Sequence, residues 1–100
     1  MDIEVLIEQA KGFAWGKGNS LKNWLKHGVT KGEAEEVFFN EPLLLFEDEK
    51  HSEQEFRILA FGKTNAGRRL VVVFTVRQDL IRVISARNMN RRERGAYEKA

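Results

Sequence analysis

Ile3, Leu6, Ile7 and Ala10 open the chain at the i, i+3, i+4, i+7 spacing of a short amphipathic helix. The pattern then breaks. Gly12, Gly16 and Gly18 surround Phe13 and Trp15, and glycines this dense oppose a long helix. Residues 13–15 therefore read as a short strand or an extended entry. A helix capped by Asn19 or Ser20 is predicted to run to about Lys26, with Gly28 as its left-handed stop. Thr30-Lys31-Gly32-Glu33 spells a capping box and opens a second helix to about Phe39, with Ala34, Val37 and Phe38 as its stripe and Pro42 beyond its end. Joined through His27-Gly28-Val29, the two predict a helical hairpin.

After Pro42 the period changes. Residues 43–46, 56–63, 70–77 and 80–86 are rich in Val, Ile, Leu and Phe and are bounded by turn residues, as strands are. The acidic stretch from Glu47 to Glu55 reads as an exposed loop. Asn65-Ala66-Gly67 and Gln78-Asp79 are short enough to join only antiparallel neighbours. Asn90-Arg91-Arg92-Glu93 is capping-box-like and starts a last helix to about Lys99. Helices followed by a meander of about four strands indicate an α+β fold. At 100 residues and 42% hydrophobic composition, the expectation is one domain over 1–100, with 1–11 as an N-terminal extension.

The turn lengths carry a sharper inference. With Gln78-Asp79 as a two-residue loop, Arg77 pairs with Leu80 and Thr75 lies opposite Arg82. With Gly67 left-handed in a three-residue loop, Thr64 pairs with Arg68 and Arg57 comes opposite Thr75. Directly opposed residues share a face, so Arg57, Thr75 and Arg82 are predicted to form a row across three strands. A one-residue slip in either hairpin destroys it.

Charge gives that row a context. Residues 1–56 hold six basic and twelve acidic side chains, and residues 57–100 hold eleven and three, so the net +2 is a cancellation of −6 and +8. All nine arginines lie at or after Arg57, and the five lysines of residues 11–31 share their stretch with no acid. The chain runs basic, acidic, basic, a distribution that permits a phosphate-binding surface. Without cysteine there is no disulfide, thiolate nucleophile or Cys-ligated metal. The longest apolar run, from Leu70 to Phe74, is far too short to span a bilayer. With no signal-peptide pattern at Met1-Asp2-Ile3-Glu4, the expectation is a cytoplasmic protein that makes no membrane contact.

Two arginines in mid-sheet must be neutralised. Pairing with Asp or Glu, or a solvated face, satisfies them; so does a phosphate, which guanidinium groups grip bidentately. Trp15 is either a core anchor or, beside the lysines, a base-stacking platform. His27 at a helix end is accounted for by the dipole, and is also a candidate proton carrier. Arg91, Arg92 and Arg94 suit a solvated face or contact with nucleic acid or an acidic partner. Two distant histidines make no metal site. Neither a G-x-S-x-G elbow nor a phosphate-binding glycine loop is present, so no metal and no cofactor is expected.

The set Phe13-Ala14-Trp15, Asn23, Lys26-His27-Gly28-Val29, Glu33-Ala34 and Val37-Phe38 resembles the opening signature of the BrnT family. His51-Ser52-Glu53, Arg57, Gly62, Arg82-Val83-Ile84-Ser85-Ala86-Arg87 and Arg92-Glu93-Arg94 with Tyr97 follow its later blocks in order. The resemblance covers roughly residues 12–99 and implies a type II toxin with a RelE-like ribonuclease fold. It implies RNA cleavage that blocks translation, and neutralisation by a BrnA-like ribbon-helix-helix antitoxin in a hetero-oligomer that reaches promoter DNA only through the antitoxin. Metal-free RNA cleavage uses the 2′-hydroxyl as nucleophile, which assigns Arg82 and Arg57 to the phosphate, Lys26 to electrostatic support and His27 to proton transfer. Trp15, Lys22, Asn23 and Arg87 become candidate RNA contacts. The family commonly places an acid directly after the motif Trp, where this chain has Gly16, and a Lys where it has Asn19. Those departures support a second reading, a catalytically weak binding module that acts mainly as an antitoxin-bound co-repressor.

Overall fold

The computed structural model describes residues 2–16, 27–51 and 55–100. Helix α1 (Ile3–Gln9) starts where Asp2 accepts from the Glu4 amide at 3.0 Å. Strand β1 (Gly12–Trp15) follows. The described chain resumes at His27, and Gly28 has the left-handed backbone expected of a stop (φ +65°). The first helix of the predicted hairpin, with Lys22, Asn23 and Lys26, lies outside the described residues. Helix α2 (Lys31–Glu36) begins with the predicted capping box, Thr30 and Glu33 each satisfying the other's backbone amide. It tightens into a 3₁₀ turn over Val37–Phe39 before Pro42.

Strands β2 (Leu44–Glu47), β3 (Ile58–Lys63), β4 (Arg69–Arg77) and β5 (Leu80–Asn88) come next, and helix α3 (Arg91–Glu98) closes the chain with a second capping box, Asn90 with Glu93. The acidic stretch is shorter as a loop than its charge suggests, because Glu47 ends β2 and Glu49–His51 forms a 3₁₀ turn.

The sheet has five strands in the order β1-β5-β4-β3-β2, which corrects the expected four. It is also mixed. The meander β2 to β5 is antiparallel, whereas β1 adds parallel to β5, Ala14 beside Arg82 and Trp15 beside Val83. The missed strand is four residues long and glycine-flanked, and its partner is more than sixty residues away, so no tight turn announces the pairing. The two hairpins have the expected register: Arg77 pairs with Leu80 and Thr75 with Arg82, while the Thr64 amide donates to Arg68 O at 2.9 Å around Gly67 (φ +89°). Between Val73 and Phe74 the β4–β5 register shifts by one, Val73 facing Ser85 and Phe74 facing Val83. That is a bulge on β5.

The sheet is covered on both sides. Phe74, Val72 and Leu70 of β4, Val83 and Ala86 of β5, and Ile58 and Ala60 of β3 form the main core with Val29, Ala34 and Val37. Ile3, Leu6 and Ile7 of α1 pack on the same cluster. Each fully buried Val, Leu, Ile or Phe of this core contributes about 1.5–3 kcal/mol. On the other side Tyr97 of α3 and Met89 pack on Val71, with Leu44, Leu59 and Phe61 around them. Gly62 marks a close approach between layers: a Cβ there would lie 3.0 Å from Val37 Cβ and 3.2 Å from its carbonyl oxygen.

Candidate active site

Thr75 and Val71 are four residues apart on one strand, so they share a face, the side α3 covers farther along. Arg82 pairs with Thr75 and projects from that face. Ile58 pairs with Phe74, which carries Arg57 one step beyond the ladder to the level of Thr75. The Asp48 amide donates to Arg57 O at 2.8 Å and continues the β2–β3 pairing there. Buried Thr75 donates its hydroxyl to Phe56 O at 2.9 Å. The row Arg57, Thr75, Arg82 is therefore assembled by three strands and braced by the threonine in the middle.

Arg82 is partly exposed, and among the described residues it forms no ion pair or side-chain hydrogen bond. Beside it lies a cavity of about 430 Å³ lined by Ala14, Arg77, Gln78, Leu80 and Arg82. Arg77 Nε is 2.6 Å from Glu55 Oε1. A guanidinium with its donors free, facing an open cavity, can accept a bidentate anion.

The other sequence candidates fall elsewhere. Trp15 pairs with Val83 and packs on the main core, on the side of the sheet opposite Arg82. Its Nε1 donates to Glu35 Oε2 at 2.7 Å, and Lys31 Nζ sits 5.8 Å from its ring centroid. The indole is thus held by α2, at its Nε1 edge and over its ring.

His27 lies at the far end of β5. Its carbonyl accepts from Arg68 Nη2 at 3.1 Å, and Arg68 Nε donates to Asn88 Oδ1 at 2.7 Å. Six residues at about 3.3 Å each separate Asn88 from Arg82 along the strand, so the structure does not bring His27 beside the row. Arg87 forms a two-pronged pair with Glu93, Nη1–Oε1 2.7 Å and Nη2–Oε2 3.0 Å. The pairing raises the Arg87 pKa, and with the Asn90 amide it holds the Glu93 carboxyl below the usual carboxylate range. Arg87 anchors the first turn of α3.

Arg68 is a structural centre that the sequence did not announce. Besides His27 and Asn88 it reaches Gly28 O at 2.7 Å and both Glu33 oxygens at 3.2 Å. One side chain thus ties the approach to α2, its capping box, the β3–β4 turn and the end of β5. The Thr30 amide first, and Arg68 after it, hold the Glu33 carboxyl low. Only the run of paired turns could have hinted at it. Among the described residues no group of three His, Asp or Glu is arranged to hold a metal, and no helix is long and apolar enough to cross a membrane.

The family model for BrnT, described as the ribonuclease toxin of a type II toxin–antitoxin system, matches residues 15–93. The chain belongs to the BrnT family. Every strand from β2 to β5 and the whole Arg57–Thr75–Arg82 row lie inside the match, whereas α1 and most of β1 precede it. The crystal structure of the Brucella abortus ribonuclease toxin BrnT superposes with a TM-score of 0.62 at 22% identity, covering 80% of this chain and 97% of that one. At that identity the likeness is one of fold. No curated protein matches in sequence. Membership in a BrnT toxin–antitoxin family implies an antitoxin partner.

Proposed function

We propose that the chain is an endoribonuclease toxin that cleaves RNA without a metal, Arg82 and Arg57 holding the scissile phosphate. The observation that carries this reading is the row itself: two guanidinium-bearing residues level with one another on one face, with an open cavity beside Arg82. In such a reaction the 2′-oxygen forms a bond to phosphorus, the bond from phosphorus to the 5′-oxygen breaks, and the 2′-proton passes to a base while the leaving oxygen gains one. Charge builds on the non-bridging oxygens, where fixed guanidinium groups are most effective. Lys26, Lys22 and Asn23 are proposed RNA contacts away from the scissile phosphate, since His27, next to Lys26 in sequence, lies at the far end of β5; His27 and Trp15 serve the row only indirectly, through the elements they anchor. Arg87 reaches a phosphate only by releasing Glu93.

Cleavage of RNA would block translation, and a RelE-like relationship fits a sheet carrying its cationic row on one face. The partner proposed is a BrnA-like ribbon-helix-helix antitoxin, through which alone the pair would meet promoter DNA. The test is incubation of the purified chain with RNA in chelator, followed by end analysis. Fragments ending in 2′,3′-cyclic phosphate and 5′-hydroxyl support the reading. Intact RNA, with antitoxin binding retained, overturns it in favour of the co-repressor module that Gly16 suggests.

A further inference from the structure

The cavity beside Arg82 has a composition that a phosphate does not require. Its lining combines two arginines, Arg77 and Arg82, a glutamine amide and two small or aliphatic side chains, Ala14 and Leu80. By register all the strand residues among these belong to the face of the row: Arg77 pairs with Leu80, Thr75 with Arg82, and Ala14 flanks Arg82 from β1. Leu80 is two residues, about 7 Å, from Arg82 on the same strand. That is about the spacing between a phosphate and the base of its own nucleotide.

Gln78 stands out on backbone grounds. It occupies the left-handed region at φ +52°, followed by Asp79 at φ +63°. Two consecutive left-handed residues make the turn that fits the twist of a hairpin, and Asn or Gly is preferred at its first position. A long amide side chain there is held against conformational preference, which directs attention to what the side chain does. The turn is also fixed from outside, since the Lys11 amide donates to Asp79 O at 2.7 Å. Gln78 is exposed, with its amide free of any hydrogen bond among the described residues.

We propose that this cavity is a purine subsite. Ala14 and Leu80 pack a face of the ring, the Gln78 amide and the Nη donors of Arg77 read its Hoogsteen edge, and the attached phosphate lies at Arg82. Gln pairs bidentately with N6 and N7 of adenine, and Arg with O6 and N7 of guanine. The acceptor common to both is the purine N7, which pyrimidines lack. Single-stranded RNA exposes that edge to side chains. The inference rests on the phosphate role proposed for Arg82 and adds the base class to it.

The test is equilibrium binding of inorganic phosphate and of adenosine, guanosine, uridine and cytidine 3′-monophosphates to the full chain. Purine nucleotides are expected to bind about tenfold tighter than pyrimidine ones, and phosphate to compete with all four. Gln78→Gly relieves the backbone preference and is expected to raise the Tm while the purine preference falls towards unity. A loss of preference in a more stable protein cannot be a loss of folding. Phosphate competition with equal affinity for the four nucleotides overturns the subsite and leaves the role of Arg82 standing. Binding that is indifferent to phosphate and unchanged in Arg82→Ala overturns both. A preference that survives Gln78→Gly removes Gln78 as the reader, and the subsite as drawn with it.

Discussion

Thr75 and Arg82 face each other directly across β4 and β5, as the third ladder pair from the Gln78-Asp79 turn. The threonine is buried and spends its hydroxyl on the Phe56 carbonyl, so the arginine stands on a fixed floor. The short turn and the threonine brace together give Arg82 a set origin, and among the described residues its donors are free, the state in which a cation is most useful to an incoming anion.

Arg82→Ala should abolish RNA cleavage and growth arrest while the protein stays folded. Loss of one charge-stabilising donor costs about 10²-fold or more in rate. Arg82 supports no described structural contact, so its removal should leave the Tm within a few degrees. Arg82→Lys should recover little, since an ammonium cannot bind a phosphate in two-pronged fashion. Rate and melting curves on the same preparation check both halves, and an equally active Arg82→Ala would remove the assignment.

Arg68→Ala should behave in the opposite way. Its guanidinium bonds two backbone carbonyls and two side chains, and their loss should cost about 2 kcal/mol. For a chain of this size that lowers the Tm by roughly 10 °C. Any loss of activity should follow the fraction unfolded, which thermal melts and assays at two temperatures would show.

Acid should remove the stabilisation that the two capping-box carboxylates provide. Glu33 and Glu93 are both held below the usual carboxylate range. Their pairing therefore stabilises the fold fully at neutral pH. As the pH drops past the ordinary carboxylate value, the unfolded chain takes up the proton first, and the stabilisation is lost on falling through the lower folded pKa. Urea midpoints from about pH 7 to about pH 3 should decline for the wild type. Glu93→Gln should start lower and decline less.

Gly62→Ala should destabilise by about 1–3 kcal/mol. The added methyl would meet Val37 Cβ and its carbonyl oxygen rather than a flexible side-chain end. Denaturant unfolding reads the loss directly, and a neutral result would mean that the 3₁₀ turn over Val37–Phe39 can withdraw from β3.

What could be read from the sequence was the local part. Both capping boxes, the left-handed Gly28 and Gly67, and the register that sets Thr75 against Arg82 follow from residue types a few positions apart. The long-range part was not legible. β1 joins a strand far down the chain with no turn to mark it, so the register that puts Trp15 beside Val83, on the opposite face from Arg82, could not be read. Arg68 gathers partners that only the fold brings together, and nothing in its neighbourhood distinguishes it from Arg69. The cavity beside Arg82 needed β1 for its Ala14 wall, so it was invisible for the same reason.

The bulge in β5 has a geometric outcome that spacing alone would deny. Arg82 and Arg87 are an odd number of positions apart, and an unbroken pleat would aim them to opposite sides. The extra residue on β5, Ile84, opposite the step from Phe74 to Val73, restores their agreement, so that one lies beside Thr75 and the other beside Val71. Had Ile84 entered the ladder as an ordinary member, the ribbon would be more regular and the molecule's positive groups divided between two surfaces. The irregularity is what gives this sheet a single electropositive side.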